Sequence, residues 1–161
     1  MQPAVTSNVD SASELPGISR SGKVLLACIA ILALAGIAVS GISLQRHYAR
    51  SATQFCDISQ QFSCDIVNRS KYASIAGIPV AGIGVVGYGL LLVLSTSQRF
   101  RIETPSRLLG ASLLGLGFAI YLTYIEAYVL TTWCILCLIS LALISLISVL
   151  AGIVKFFGAR A

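Results

Sequence analysis

Four long apolar runs, separated by polar segments, dominate the chain. They cover approximately residues 24–44, 78–96, 108–130 and 134–157. Each approaches or exceeds the ~20 residues that an α-helix needs to cross the hydrocarbon core of a bilayer. Because backbone N–H and C=O groups cannot remain unpaired in lipid, such runs are expected to be helical. The pattern therefore predicts an all-α integral membrane protein, built as a four-transmembrane-helix bundle.

The polar segments define the remaining organisation. Residues 1–22 have no apolar period and predict a disordered tail, which precedes a membrane domain over residues 23–158 and a short tail over residues 159–161. The long loop 45–77 joins the first two helices. Of the 161 residues, 57% are hydrophobic and 11% are charged, and the mean hydropathy is +0.89. Soluble domains average about 25% charged residues, so this composition also favours lipid as the solvent.

The basic residues indicate how the helices are oriented. The net charge of +5 does not indicate nucleic-acid binding, because the cations flank the apolar runs instead of forming a patch with aromatic residues. With the N-terminus in the cytoplasm, seven of the eleven Lys and Arg residues are inside and four are in loop 45–77. The positive-inside rule therefore predicts cytoplasmic termini and an extracytoplasmic loop in a multi-pass membrane protein. The inner set comprises Arg20, Lys23, Arg99, Arg101, Arg107, Lys155 and Arg160.

Four of the five cysteines form two close pairs that this topology brings to the same side. Cys56 and Cys64 lie in the outer loop, and Cys134 and Cys137 form a CxxC motif at the outer end of the fourth helix. Positions i and i+3 share a helix face, so the two CxxC sulfurs can form a disulfide. The free N–H groups and the dipole at a helix N-terminus favour a thiolate, which is the attacking species in disulfide exchange. A redox-active dithiol beside the lipid is therefore the preferred interpretation.

Two other interpretations of the cysteine pairs remain open. Each pair could be a structural disulfide, although a two-residue CxxC loop gains little chain entropy from closure. Four thiolates could instead bind a metal ion. Both interpretations lead to a non-enzymatic tetraspan protein as the alternative function. Cys28 is expected to be a small buried hydrophobe without a functional role, and none is assigned to the single histidine, His47.

The cysteine spacing and several accompanying motifs resemble the vitamin K epoxide reductase family, including its bacterial quinone-linked members. The order and spacing of these motifs, which extend from the first helix to the start of the fourth, are more specific than any one of them. They are Cys56-Asp57, Ser63-Cys64, Ser70-Lys71-Tyr72, the Gly-rich second helix with Tyr88, Tyr121-Leu122, and Cys134-x-x-Cys137.

The resemblance implies a role for each cysteine. Cys56 would meet a partner protein, Cys64 would form a transient mixed disulfide with Cys134, and Cys137 would deliver electrons to a quinone, either ubiquinone or menaquinone. Ser70 matches the loop serine that helps to organise the cover of the active site in the family. The implied activity is that of a membrane thiol–disulfide oxidoreductase that supports disulfide bond formation.

Departures from the family pattern refine this expectation. The vertebrate enzymes have a tyrosine one turn after the CxxC, where this chain has Leu141. They also have an asparagine at the start of the second helix, where this chain has Pro79 and Val80. Loss of these polar groups implies reduction of a quinone instead of an epoxide. It also implies a location in a bacterial plasma membrane instead of the endoplasmic reticulum. Since the chain ends at Ala161, the thioredoxin-fold partner found fused in many bacterial members is expected to be a separate extracytoplasmic protein.

Four residues are candidates for binding the quinone: Ser70, Tyr88, Tyr124 and Glu126. Glu126 is the only acid within the apolar runs, and an intramembrane acid is a functional candidate because quinone reduction consumes protons. Its position near the outer interface also allows it to snorkel into water, which is the preferred interpretation. Tyr124 belongs to a helical series with Tyr121 and Tyr128 that is typical of an interface belt, although it could also line the quinone site.

Overall fold

Four long helices form the framework of the protein. A computed structural model describes residues 20–48, 57–59, 62–68, 70–75, 77–96 and 104–157. Most of the predicted tail 1–22, together with Cys56 and the tail 159–161, lies outside the described residues. The helices, numbered in chain order with one short helix of the outer loop, are α1 (Arg20–Tyr48), α2 (Cys64–Asn68), α3 (Val80–Thr96), α4 (Thr104–Ile125) and α5 (Ile135–Phe157).

The lengths of these helices agree with a membrane protein. Three helical segments in the described part of the chain are long and apolar enough to span a bilayer: Gly22–Tyr48, Pro105–Leu130 and Ile135–Phe156. Helix α3 is equally apolar in character but has only 17 residues, somewhat fewer than the ~20 that a perpendicular crossing requires. The prediction of an all-α, multi-pass membrane architecture is thus confirmed, and the fourth crossing stays a prediction.

The long helices pack as a ring in which each packs mainly against two neighbours. Helix α1 lies against α3 and α5, and α4 completes the ring by packing on α5 and α3. The core between them is apolar and includes Ile29, Leu91, Leu108 and Ile147. On the outside, large apolar side chains are exposed, as for Leu114 at 79%. Such an extensive apolar exterior is unusual for a soluble monomer but is expected of helices that face lipid.

The connection between α1 and α3 contains short regular elements that the sequence analysis missed, and the last of them takes the first two residues of the predicted helix 78–96. Strands β1 (Asp57–Ser59) and β2 (Phe62–Ser63) pair antiparallel and lead directly into α2. A 3₁₀ turn at Lys71–Ala73 precedes a second hairpin, in which β3 (Ser74–Ile75) pairs with β4 (Ile78–Pro79). Strands of two or three residues are too short to show a period-2 pattern. These elements connect α1 to α3.

Two details of the sequence interpretation need correction. Helix α1 begins at Arg20 and ends at Tyr48, so it extends beyond the apolar run 24–44 at both ends, because polar residues continue the helix outside the hydrocarbon core. Cys28 is exposed on the surface of α1, where an apolar thiol is compatible with lipid. The expectation that Cys28 is buried was therefore wrong.

Candidate active site

The outer end of α4 is wound more loosely than the rest of the helix. Residues Glu126–Leu130 continue it as a π-helical turn, a feature that is frequent at functional sites. Thr131 then adopts a left-handed conformation with φ of 48°, and the Thr132 N–H donates a hydrogen bond to the Glu126 carbonyl oxygen at 3.2 Å. The chain reverses here, and Glu126 comes to lie beside the start of α5.

The Glu126 carboxyl is buried against the CxxC motif. The residue is 2% exposed, and its Oε2 accepts a hydrogen bond from the Cys134 backbone N–H at 3.2 Å. A carboxyl oxygen of Glu126 and the Sγ atoms of Cys134 and Cys137 all lie within 4.8 Å of one another. No well-aligned hydrogen bond from a described residue reaches Oε1. The preferred interpretation that Glu126 snorkels into water is therefore wrong, because the π turn directs the side chain towards the thiols.

Cys134 and Cys137 occupy the start of α5. The Leu138 N–H donates to the Cys134 carbonyl oxygen at 3.1 Å, which places Cys134 at the N-cap and Cys137 in the first turn. Both cysteines carry free thiols. The hydrogen bond from the Cys137 thiol lowers the pKa of Cys134, while burial and the Glu126 carboxylate act in the opposite direction. A lowered pKa favours the thiolate, the form that attacks a disulfide.

The outer loop brings a third cysteine to this site. Cys64, the first residue of α2, is fully buried and takes part in a disulfide. It shares one buried cluster with Val67 and Cys134, against which Leu130, Leu136 and Cys137 also pack. Cys64 of the loop pair thus lies in the same buried cluster as both cysteines of the CxxC. Cys56, the other predicted member of the loop pair, lies outside the described residues.

A cavity of about 410 Å³ adjoins the cysteines. Its walls are mainly apolar and come from α1, the outer loop, α3, α4 and α5. Cys137, Glu126 and Ser140 form one polar group in the lining, and Ser43, His47 and Asn68 form a second. A mainly apolar cavity of this size with a few polar groups is typical of a small-molecule site.

Three of the four predicted quinone-binding residues line this cavity, namely Ser70, Tyr88 and Glu126. The Tyr88 hydroxyl donates to the Ser140 carbonyl oxygen at 2.9 Å, and the Ser70 hydroxyl donates to the Val67 carbonyl oxygen at 2.8 Å. Both hydroxyls therefore hold neighbouring elements of the wall in place. Their contact with a quinone stays a prediction.

The fourth predicted residue, Tyr124, lies apart from the cavity. Its side chain is 58% exposed, and its ring packs on Tyr128 with centroids 4.8 Å apart. It does not belong to the residues that line the cavity. This position favours the interface belt over the quinone wall.

The sequence analysis missed the second polar group of the cavity and Ser140. Ser43 and His47 are four residues apart on α1, so they share a helix face, and this spacing was a usable signal. Asn68 offered no such signal, because its contacts with Ser43 and His47 join residues 25 and 21 positions apart. Ser140 follows Cys137 by three residues, which also places the two on the same face.

The same groups bear on the metal-binding alternative. Glu126, Cys134 and Cys137 could supply three ligand atoms to one ion, whereas structural zinc sites use four ligands. Cys64 is engaged in a disulfide and does not offer a thiolate in this state. A four-thiolate site made of both pairs is therefore not assembled among the described residues.

Comparison with known proteins agrees with this geometry. A model of the vitamin K epoxide reductase family matches residues 27–151. The matched segment contains all five cysteines and every residue that lines the cavity. A search of curated proteins found no match.

Proposed function

Because the chain belongs to the vitamin K epoxide reductase family, whose members are membrane thiol–disulfide oxidoreductases, we propose that it transfers electrons from a separate thioredoxin-fold protein to a membrane quinone. The observation that carries this proposal is the shared buried cluster of Cys64, which is in a disulfide, and Cys134, which is a free thiol. A sulfur pair on the loop and a sulfur pair on the bundle can exchange disulfides only if they are held in the same place.

The proposed relay starts with reduction of a Cys56–Cys64 disulfide. The partner's dithiol attacks it, becomes a disulfide itself, and leaves Cys56 and Cys64 as thiols. The Cys64 thiolate then attacks Cys134 within a Cys134–Cys137 disulfide, and the Cys137 thiolate is the leaving group. Attack of Cys56 on Cys64 restores the loop disulfide and releases Cys134 as a thiolate.

At the end of this sequence the loop pair is a disulfide and the CxxC is a dithiol that holds the two electrons. The same bonding, with Cys64 in a disulfide and Cys134 and Cys137 as free thiols, is present in the structure. A quinone supplies the acceptor for these two electrons and for two protons, and the Cys134–Cys137 disulfide forms again. The hydrogen bond that lowers the pKa of Cys134 favours its departure from the mixed disulfide, because a thiol with a lower pKa leaves faster.

The cavity beside Cys137 fits a quinone by its chemistry. Its walls are mainly apolar, and Glu126 Oε1 is a buried polar atom without a well-aligned partner there. Cys137 and Glu126 both line it. Glu126 is placed to hold a proton next to the sulfur that is oxidised. Tyr88 and Ser70 stabilise the wall through their hydrogen bonds, and we do not include Tyr124 in the quinone site.

Trapping the mixed disulfide tests the relay. In a Cys56→Ser/Cys137→Ser variant the resolving thiols are absent, so a Cys64–Cys134 disulfide should accumulate and be identified by mass spectrometry of non-reduced peptides. Cys28→Ser in the same background is the matched control, because Cys28 is exposed on α1 and should not alter the linkage. Absence of the Cys64–Cys134 peptide would refute the relay and favour fixed structural disulfides.

The proposal also specifies an orientation. We propose that α3 completes a fourth crossing and that both cysteine pairs face the extracytoplasmic side of a bacterial plasma membrane. This rests on the seven Lys and Arg residues of the inner segments against four in the outer loop. After reduction of intact cells, a membrane-impermeant thiol reagent should reach the loop cysteines from outside. Labelling only in inverted vesicles would contradict this arrangement.

A further inference from the structure

The side-chain amide of Asn68 is buried at the cavity with one half of its hydrogen-bonding capacity unused. Asn68 is the last residue of α2 and is 7% exposed. Its Oδ1 accepts a hydrogen bond from the Ser43 hydroxyl at 2.9 Å. Its Nδ2 is buried and has no hydrogen-bond partner among the described residues. Since buried polar groups are nearly always paired, an unpaired NH₂ group requires an explanation.

Asn68 is held in this position from two directions. His47 Nδ1 lies 2.6 Å from the Asn68 backbone oxygen, and because a carbonyl oxygen can only accept, Nδ1 is the donor. Ser43, one turn earlier on α1, holds the side-chain oxygen. The backbone and the amide of Asn68 are thus both fixed to α1. With Oδ1 occupied by Ser43, the NH₂ group is the part of the amide that is available to a ligand.

The surroundings of Asn68 determine what kind of ligand this is. Asn68 lines the same cavity as Cys137 and Glu126, and the walls of that cavity are mainly apolar. A ligand that satisfies the NH₂ group must present an acceptor, and one that fills the rest of the cavity must be largely apolar. A quinone combines a flat apolar ring with carbonyl oxygens that only accept hydrogen bonds.

We propose that Asn68 Nδ2 donates a hydrogen bond to a carbonyl oxygen of the bound quinone and so determines how the ring is placed in the cavity. This inference rests on the proposed quinone reduction and adds a specificity residue to it. The donor would discriminate between a quinone and a hydrocarbon of the same shape, because only the quinone relieves the unpaired NH₂ group.

A pair of ligands that differ in their carbonyl groups tests the inference. The full chain in lipid nanodiscs is titrated calorimetrically with 2-methyl-1,4-naphthoquinone and with 2-methylnaphthalene, which lacks both acceptors. In Asn68→Leu, the dissociation constant of the quinone should rise by about tenfold, in line with loss of a hydrogen bond in a buried site. The dissociation constant of the hydrocarbon should stay the same or fall.

Two controls separate binding from folding. Ser95→Ala alters another buried polar residue, whose hydroxyl bonds within α3 and which does not line the cavity, so both dissociation constants should be unchanged. Asn68→Asp keeps the size of the side chain and an acceptor for Ser43 but removes the NH₂ group, so it too should weaken quinone binding. If Asn68→Leu does not fold, Asn68→Asp provides the test in its place.

The possible results are distinguishable. Equal weakening of both ligands would assign Asn68 a structural role and overturn the inference, as would an unchanged affinity for the quinone. Either result would leave the Cys64–Cys134 linkage test unaffected, so the relay could still stand. If the wild-type chain binds no quinone, both this inference and the proposed acceptor fail together.

Discussion

The ring of Tyr88 lies directly against Gly36, and replacement of Gly36 by alanine tests how tightly α1 and α3 are packed. A Cβ atom at Gly36 would lie 2.6 Å from Tyr88 Cγ, whereas ordinary contacts begin at 3.4 Å. Tyr88 Cδ1 and Cε1 would lie closer still, so the ring would have to move by more than about 0.8 Å. Tyr88 is 5% exposed, and its hydroxyl donates to the Ser140 carbonyl oxygen at 2.9 Å, so such a shift would strain this hydrogen bond.

The expected cost of Gly36→Ala follows from three contributions. Overpacking of a filled interior costs about 1–3 kcal/mol, and loss of the Tyr88 hydrogen bond adds about 0.5–1.5 kcal/mol. The higher helix propensity of alanine offsets about 0.5–1 kcal/mol. We therefore expect Gly36→Ala to lower the free energy of unfolding by about 0.5–4 kcal/mol.

Gly41→Ala is the matched control on the same helix. Nothing lies within 4 Å of a Cβ atom at Gly41, so only the propensity gain applies and stability should be unchanged or slightly higher. Denaturant unfolding in detergent micelles, followed by circular dichroism, measures both variants. In a Tyr88→Leu background, the penalty of Gly36→Ala should shrink, because the clashing ring is gone. If Gly36→Ala and Gly41→Ala unfold alike, the close packing of Tyr88 on Gly36 is refuted.

Two further predictions concern the ionisation of Cys134. Because the Cys137 thiol lowers the pKa of Cys134, the thiolate absorbance of Cys134 should appear at lower pH in the wild type than in Cys137→Ala; identical titrations would contradict this. The thiolate contribution to stability is complete above the pKa of the unfolded thiol and is lost as pH falls through the lower folded value. Glu126→Gln keeps an oxygen that can accept from the Cys134 N–H but removes the carboxylate charge that opposes ionisation of the Cys134 thiol. The titration of Cys134 should therefore move to still lower pH, and a move to higher pH would exclude the charge effect.

The helical framework was predictable from the sequence because lipid leaves little choice of backbone structure. Apolar runs must become helices, and the run 134–157 corresponds closely to α5, Ile135–Phe157. The hairpins of the outer loop were not predictable, since Phe62–Ser63 and Ser74–Ile75 are too short to show periodicity. Their pairing depends on where α1 and α3 place the ends of the loop.

The chemistry of the site was predictable only where it depended on spacing along the chain. Cys134 and Cys137 are three residues apart, and their place at the start of a helix followed from the apolar run. The burial of Glu126 could not be predicted in this way, because its position near the end of an apolar run indicated an interfacial side chain. Only the π turn directs this side chain inwards. Asn68 could not be found from local pattern, since its contacts with Ser43 and His47 depend on tertiary structure.

The π turn at Glu126–Leu130 also makes the length of this segment matter more than the identity of most of its residues. Each residue of an α-helix contributes about 100° of rotation and about 1.5 Å of rise. Removing one residue would convert the wide turn to regular α-helical winding. The Glu126 carboxyl would then turn away from the Cys134 backbone N–H, which now donates a hydrogen bond to it. The segment should therefore accept changes of side chain at exposed positions such as Tyr128 and Val129, while a single insertion or deletion would separate the acid from both sulfurs.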